Sequence, residues 1–318
     1  MAGPGTNVGA AATVWNSPNY VGELFLVGAN HTPFLNMIGG LSGGRQVNSW
    51  EFPVAQDWAL VTASQPAITE TASLTAPTAE TYVRGQDVNT CQIFQKQVSV
   101  SYAKQSNVNT LAGLPLANSA QPVMNERDFQ INAALTQVAV DVDYTFLQGA
   151  YQKATAANVA AKSAGILTAI TTNVVANSPS AYLTKDMVKQ CLRYMAATGA
   201  RFSTMCAFGN AFQIQRLSDL YGYAPVDRNI GGVAVKTILT DWCELNVMWD
   251  PHMPTTVLGI FDMSLILPVF LPVPGKGVLF YEELAKVGAS ELGQIYGQVG
   301  LAYGPELYHG QITGLLDA

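Results

Sequence analysis

Charge is what this sequence has least of. Of its 318 residues, 12% are Asp, Glu, Lys or Arg while 49% are hydrophobic, against about 25% charged in an ordinary globular domain. A chain that must keep its whole surface wet usually carries more charge, so large surfaces covered by other protein are expected; abundant Ala, Gly, Ser, Thr, Asn and Gln offer the blander account. Basic residues are scarcer still at the start: up to Val83 the only one is Arg45, against Glu23, Glu51, Asp57, Glu70 and Glu80. No basic run occurs and the net charge is −6. That excludes a protein that condenses nucleic acid by neutralising phosphates.

Other absences exclude other classes. Cys91, Cys191, Cys206 and Cys243 stand singly with no C-x-x-C spacing, which fits reduced core residues of a cytosolic protein rather than a disulfide framework or zinc site. The start, "MAGPGTNVGAAATVW", lacks the positive region and apolar block of a secretory signal. The most apolar stretch, "TTVLGIFDMSLILPVFLPVPG", is interrupted by Asp262, Pro268, Pro272 and Pro274, and reads as buried strands, not as a membrane span.

Catalytic and cofactor patterns are missing too. His31, His252 and His309 are far apart, and Asp250-Pro-His252 is the only acid–histidine neighbourhood, read as a turn after a strand. "PGKGV" around Lys276 lacks the hydroxyl and helix of a phosphate loop, and "GASELG" around Ser290 is no nucleophile elbow. Glu282 and Glu283 are adjacent on a strand-like run, so they point to opposite faces. Met187, Cys191 and Met195 recur at helical spacing as core residues. No enzyme activity, cofactor or metal is expected.

What is present has an order. A small-residue tail leads into "YVGELFLVGANHTPFLNMIGGL", which reads as an arm rather than a core helix. Trp50, Phe52 and Val54 then alternate with Ser49 and Glu51, and Phe94, Val98, Val100 and Tyr102 alternate with Gln95, Gln97, Ser99 and Ser101, predicting two half-buried strands. Between them runs "WALVTASQPAITETASLTAPTAETYV", Trp58 to Val83, too apolar for a solvated linker and too long for a hairpin turn of about 2–5 residues. Asn125 with Glu126 and Asp128 opens a long helix carrying Ile131, Leu135, Val138, Val142 and Phe146, which the Ala-rich stretch beyond Gly149 is expected to extend. Thr184 caps a second helix that Gly199 stops; "TMCAF", a third helix "NAFQIQRLSDLY" and three short strands complete a compact α/β module. The remainder, "LILPVFLP", "GVLFYEELAKVG", "GQIYGQVGLAYG" and "ELYHGQITGL", reads as strands.

With this order of parts, the segments "ELFLVGANHTPFLNMIGG", "RGQDVNTCQIFQKQVSVSYAKQ", "NERDFQINAALTQVAVDVDYTFLQGAY" and "YGPELYHGQITGLL" make the chain resemble the major capsid proteins of tailed bacteriophages, the Hong Kong ninety-seven capsid fold. The resemblance implies an α+β chain with an N-terminal arm over 1–45, an extended β-hairpin loop over 46–104, a peripheral domain from 105–180 and 263–318 with its spine helix at about 125–150, and an axial α/β domain over 181–262. It implies pentamers and hexamers of an icosahedral shell enclosing double-stranded DNA without sequence-specific binding. Portal, and in some cases scaffolding and decoration proteins, would be the other partners, in a virion assembled in the host bacterial cytoplasm. Trp58, Leu60, Val61, Ile68, Leu74 and Tyr82 would lie on a neighbouring subunit, Phe25, Leu26, Phe34 and Leu35 would be arm contacts, and Tyr221, Tyr223, Asp227 and Arg228 would form the axial tip. Some relatives weld subunits through a loop lysine; no Lys precedes Arg84, so no such bond is expected here. No charged scaffolding segment precedes the arm, which implies a separate scaffolding protein or none. The open alternatives are an encapsulin-like compartment shell, another phage structural protein such as a tail tube, or an enzyme with an unrecognised cleft.

Overall fold

The structure, a computed structural model, describes residues 31–60, 63–77, 79, 81–106, 126–221, 224–230 and 233–317. The first part of the chain gives α1 (Pro33–Met37), β1 (Arg45–Gln46), β2 (Glu51–Trp58), α2 (Glu70–Ser73), β3 (Arg84–Thr90), β4 (Gln92–Ser101) and α3 (Tyr102–Ser106). The long helix α4 (Glu126–Gln148) follows, then α5 (Ile166–Ala169), β5 (Val174–Ala181), α6 (Lys185–Ala197), β6 (Met205–Gly209), α7 (Ala211–Tyr221), β7 (Ala224–Ile230), β8 (Val233–Leu239) and β9 (Glu244–Trp249). The closing strands are β10 (Leu258–Asp262), β11 (Leu267–Phe270), β12 (Leu279–Glu283), β13 (Ser290–Ala302) and β14 (Gly310–Leu315).

The longest strand, β13, organises one half of the body. Its 13 residues pair antiparallel with β4 from Ser290↔Ser101 to Val299↔Gln92, and also with β11 and β12, in a five-stranded sheet. The alternation predicted for β4 holds as far as Val100, with Phe94, Val98 and Val100 buried between exposed Gln95, Gln97 and Ser99, but Tyr102, expected on the same face, opens α3 and is exposed. On this face lies α4, whose Val138, Val142 and Phe146 share a core with Phe94, Ile295 and Val299. Only its second half is sunk in the body; no residue from Glu126 to Gln137 is fully buried.

The helix stops at Gln148 instead of running on through the Ala-rich stretch. The chain turns back so that Gly165 lies against Gly149: the Gly165 amide donates to the Gly149 carbonyl (2.8 Å), and a Cβ on Gly165 would sit 2.6 Å from the Gly149 nitrogen. Two backbones can approach so closely only where neither carries a side chain. Alanine content favours helix, but this contact overrides it.

The other half is a mixed seven-stranded sheet in the order β5-β14-β10-β6-β9-β8-β7. One face presents Met205, Ala207, Leu258, Ile260 and Ile312 to Val188, Cys191, Leu192 and Met195 of α6 and Leu217 of α7. The opposite face presents Cys206, Phe208, Met248 and Phe261 to the core around α4. Thr184 caps α6 as predicted, accepting from the Met187 amide (3.4 Å), and Gly199 follows it at φ +88°. This sheet reaches beyond the 181–262 range expected of the α/β module: β5 and the C-terminal β14 belong to it. The sequence pattern marks β14 as a strand; it does not show which sheet completes it.

The arm also ends differently. Phe34 and Leu35, expected as arm contacts, are buried in the chain's own core, with the Phe34 ring edge-on to Phe208 (centroids 5.3 Å apart) and Phe261 (6.2 Å). Phe25 and Leu26 lie outside the described residues.

Candidate functional site: an exposed ribbon and its seat

The ribbon is built from β2 and β3, paired antiparallel from Glu51↔Thr90 to Trp58↔Arg84 and belonging to no other sheet. The expected partner of the first strand was the segment beginning at Cys91; the partner is instead the polar "RGQDVNT" of β3, and β4 leaves for the body sheet. Strict alternation along β2 also fails. A register shift between Pro53 and Ala55 buries Phe52 and Ala55 and leaves Val54 half-buried. Such bulges let a strand turn out of its sheet.

At the root the ribbon is seated firmly. Asn89 is fully buried: its amide nitrogen donates to the carbonyls of Leu301 (2.8 Å) and Ala164 (3.2 Å) and to Ser163 Oγ (3.2 Å), while its oxygen accepts from the amides of Thr90 and Ala164 (both 2.9 Å). Phe52 packs on Gly300 of β13, where a Cβ would stand 2.8 Å from the ring. Outside, Lys153 Nζ meets Glu51 (2.8 Å) and Tyr151 Oη donates to the same carboxylate (3.2 Å), so the Lys153 ammonium holds that carboxyl below its usual range.

Beyond Trp58 the ladder ends and the chain is exposed. Trp58 stands edge-on to Tyr82 (centroids 6.0 Å apart), and Thr69 caps the single turn of α2 by accepting from the Ala72 amide (3.2 Å). Yet Trp58 is 60% exposed, Leu60 71%, Ile68 71%, Leu74 84% and Tyr82 50%. Val61 lies outside the described residues. No described part of the chain covers this apolar group, and among the described residues the charges next to it in sequence are the acids Asp57 and Glu70 and, at the ladder's end, Arg84. Among the described residues regular pairing stops at Trp58↔Arg84, so the paired ribbon extends about 26 Å at ~3.3 Å per residue.

Residues with chemical potential are tied up structurally. Asp143 on α4 accepts from the Leu35 amide (2.8 Å) and meets His252 Nδ1 (2.9 Å); Asp250 accepts from the amides of His252 (2.8 Å) and Phe34 (3.4 Å). Their donor atoms lie within 4.8 Å of one another, a metal-like grouping, but the four carboxylate oxygens are all engaged by amides or imidazole. The trio is a clasp holding α1, α4 and the turn after β9 together, so Asp250-Pro-His252 is more than a plain turn. Desolvation, and then the neighbouring Asp143 charge, push the Asp250 carboxyl up to about 7. His309 is buried with both ring nitrogens used, Nδ1 accepting from the Asp262 amide (3.1 Å) and Nε2 donating to the Tyr303 carbonyl (2.6 Å), and burial lowers its pKa. Lys276 pairs with Glu282 and Arg127 with Glu283, while His31 packs by Trp249. Cys91, Cys191 and Cys206 are buried and Cys243 half-buried, all unpaired, and burial pushes the Cys91 and Cys191 thiols up to about 12. A groove of about 500 Å³ between β4 and α4 is lined by Lys96, Asp141, Tyr144, Thr145 and His252, each of the last two already engaged: the Thr145 hydroxyl donates to the Asp141 carbonyl (2.7 Å) and His252 Nδ1 meets Asp143, while Lys96 is paired with Asp141 at 2.9 Å.

Of the expected tip, Tyr221 ends α7, half-buried with the Lys185 ammonium 5.3 Å from its ring centre; burial raises its hydroxyl pKa. Asp227 and Arg228 lie on β7, the last strand of the large sheet, and Tyr223 is outside the described residues. Asn89, Asp143 and Lys153 were not singled out from the sequence, where nothing marks a polar residue that will be buried.

The chain matches the SU10 major capsid protein family over residues 6–316. No curated protein sequence matches it. Among solved structures, the capsid of Cyanophage A-1(L) superposes with a TM-score of 0.62 at 12% identity, covering 94% of this chain and 96% of that one. The SrpI encapsulin of Synechococcus elongatus PCC 7942, in its holo complex, gives 0.60 at 10% identity over 94% and 92%. The capsid of a native GTA particle gives 0.56 at 13% identity over 98% and 99%. At such identities these likenesses establish the fold alone, and it is the family match across nearly the whole length that decides the rest: the chain belongs to the SU10 major capsid protein family.

Proposed function

We propose that copies of this capsid protein close into pentamers and hexamers of an icosahedral shell around double-stranded DNA, and that the tip from Trp58 to Val83 lies across a neighbouring subunit. One observation carries this reading: Trp58, Leu60, Ile68, Leu74 and Tyr82 are at least half exposed at the end of a ribbon whose root is locked by Asn89. Burying a large apolar side chain is worth about 1.5–3 kcal/mol, so a second copy that covers these residues gains several times that. β7 and β8 at the far edge of the large sheet, with Tyr221, Asp227 and Arg228, form the axial tip around which rings close. The role is structural and non-catalytic. Portal, scaffolding and decoration proteins are the other partners, and the shell assembles in the host bacterial cytoplasm; no helix of the described residues is long and apolar enough to cross a membrane.

Electron microscopy of the expressed protein tests this, alongside a variant in which residues 59–82 are replaced by a short Gly-Ser turn. Shells from the parent, and folded subunits with an unchanged circular dichroism spectrum but no stable shells from the variant, are expected. Equal shells from both would overturn the role of the ribbon. The likeness to an encapsulin supports a compartment shell as the second reading; particles holding an enzyme cargo and no nucleic acid would favour it.

A further inference from the structure

The large sheet has one face committed to the core around α4 and the other covered by α6 and α7, so the outer side of these two helices is a surface of the molecule. Its charge runs against the rest of the chain. Residues 182–221 hold Lys185, Lys189, Arg193, Arg201 and Arg216 against Asp186 and Asp219, a net of +3; since the whole chain is −6, everything else carries −9. On α6, Lys185, Lys189 and Arg193 follow one another at four-residue steps, about 6 Å apart along one line of the helix, and all three are exposed. No ion pair to them is found among the described residues, although Lys185 stands over the Tyr221 ring (5.3 Å) and, with Lys189, borders a groove that also holds Asp241; Lys96, Arg127, Lys153 and Lys276 elsewhere each meet a carboxylate. Arg201 and Arg216 of the same segment are held over the rings of Tyr308 (5.9 Å) and Tyr182 (5.0 Å).

We propose that this helical face, centred on Lys185, Lys189 and Arg193, is turned toward the lumen and touches the phosphate backbone of the enclosed duplex without reading its bases. The inference rests on the capsid reading above. A duplex presents a negative charge every ~3.4 Å along each strand, so cations spaced about 6 Å apart on a straight line meet roughly every second phosphate. Three such contacts make a weak and strongly salt-dependent association, as suits a shell that must be filled and later emptied. The alternative occupant, an acidic surface of a neighbouring copy, is an outcome of the same test.

The purified protein is titrated against a fluorescent duplex of arbitrary sequence by anisotropy. With three contacts the slope of log affinity against log salt is about −2.7, so affinity falls about 40-fold between about 50 and 200 mM salt. The variant K185Q/K189Q/R193Q should flatten this slope towards zero, while K162Q/K276Q/K286Q, which removes the same charge elsewhere, should leave it nearly unchanged. Both variants should still form shells, because the ribbon is untouched, and a reconstruction should show α6 lining the lumen. Equal losses in the two variants, no binding by the parent, or α6 on the outside would overturn the proposal. Loss of shells with unchanged DNA affinity in the α6 variant would reassign the face to contact between copies. Failure of the parent itself to form shells would sink the capsid reading, whatever the DNA titration gives.

Discussion

A single buried amide fixes the direction in which the ribbon leaves the body. Asn89 reaches two distant segments, at Ser163–Ala164 and at Leu301, as well as the amide of its own neighbour Thr90. Truncating it strands the Leu301 and Ala164 carbonyls and the Ala164 amide, and an unsatisfied buried group costs about 1–3 kcal/mol. Asn89→Ala should therefore lower stability in urea denaturation by roughly 2–4 kcal/mol, and Asn89→Asp should be at least as harmful because a carboxylate cannot donate to those carbonyls. A loss below about 0.5 kcal/mol, typical of surface sites, would mean that the ribbon is seated by something else. The clasp gives a second expectation at this scale. Folding raises the Asp250 carboxyl from 3.8 to about 7, so its contribution to stability is fully present below about pH 4 and is lost as pH rises through about 7. His309 acts on the other side: its pKa is lowered by burial, so its contribution is present above about 6.5 and is lost as pH falls below that. Asp250→Asn should consequently gain in Tm relative to the parent by several degrees between pH 5 and pH 8.5, as each kcal/mol moves Tm by about 2–4 °C in domains approaching this size. A difference that stays flat with pH in a thermal scan would show that Asp250 is not the group titrating.

Among the elements, those with a strong internal period were legible. The long helix, both helices of the large sheet with the Thr184 cap, β4, and the strands β6, β8, β9 and β10 all lie where the pattern of apolar residues put them. Three others were not, for separate physical reasons. The Arg84–Thr90 strand is polar and exposed apart from Asn89 and Thr90, so only its ladder with β2 makes it a strand. The Gly149–Gly165 contact ends a helix that composition would have prolonged. Short α1 reads as an arm because its five residues have no period to judge by, and its burial depends on Asp143 and Asp250 satisfying its first amides. The basic line on α6 needs the helix before its spacing means anything. The tip of the ribbon, conversely, was legible as a misfit, apolar and without a cation, and its side chains are indeed outside the core. Leu74→Asp and Ile68→Asp should each change subunit stability by less than about 0.5 kcal/mol, since both side chains are largely exposed among the described residues. Each should nevertheless raise the protein concentration needed for assembly, read by light scattering, by tenfold or more, because about 1.4 kcal/mol corresponds to a factor of ten and a charge replaces a large apolar contact. Normal assembly by both variants, or an equal loss of subunit stability, would place the tip on its own subunit.

For the molecule as a whole, the two kinds of surface respond oppositely to salt. Each copy carries −6, so bringing copies together opposes like charge, and the exposed groups that would bridge them are apolar rather than ionic. Repulsion between exposed charges is screened beyond about 10 Å at 0.1 M salt and about 3 Å at 1 M, while sulfate strengthens the burial of apolar surface by being excluded from it. Assembly followed by light scattering should accordingly rise with sodium chloride, rise further with sodium sulfate at equal ionic strength, and weaken on cooling. The contact of α6 with duplex DNA should fall steeply over the same range, as phosphate contacts do. If instead salt dissolved the shells, the copies would be held by ion pairs; the Lys153–Glu51 brace at the root of the ribbon, which is exposed, would then be the first place to look for a charge that reaches across to a neighbour. A Glu51→Gln variant separates the two cases: it should leave the salt response of assembly rising if apolar burial drives closure, and should abolish the dissolution by salt if that carboxylate is shared between copies.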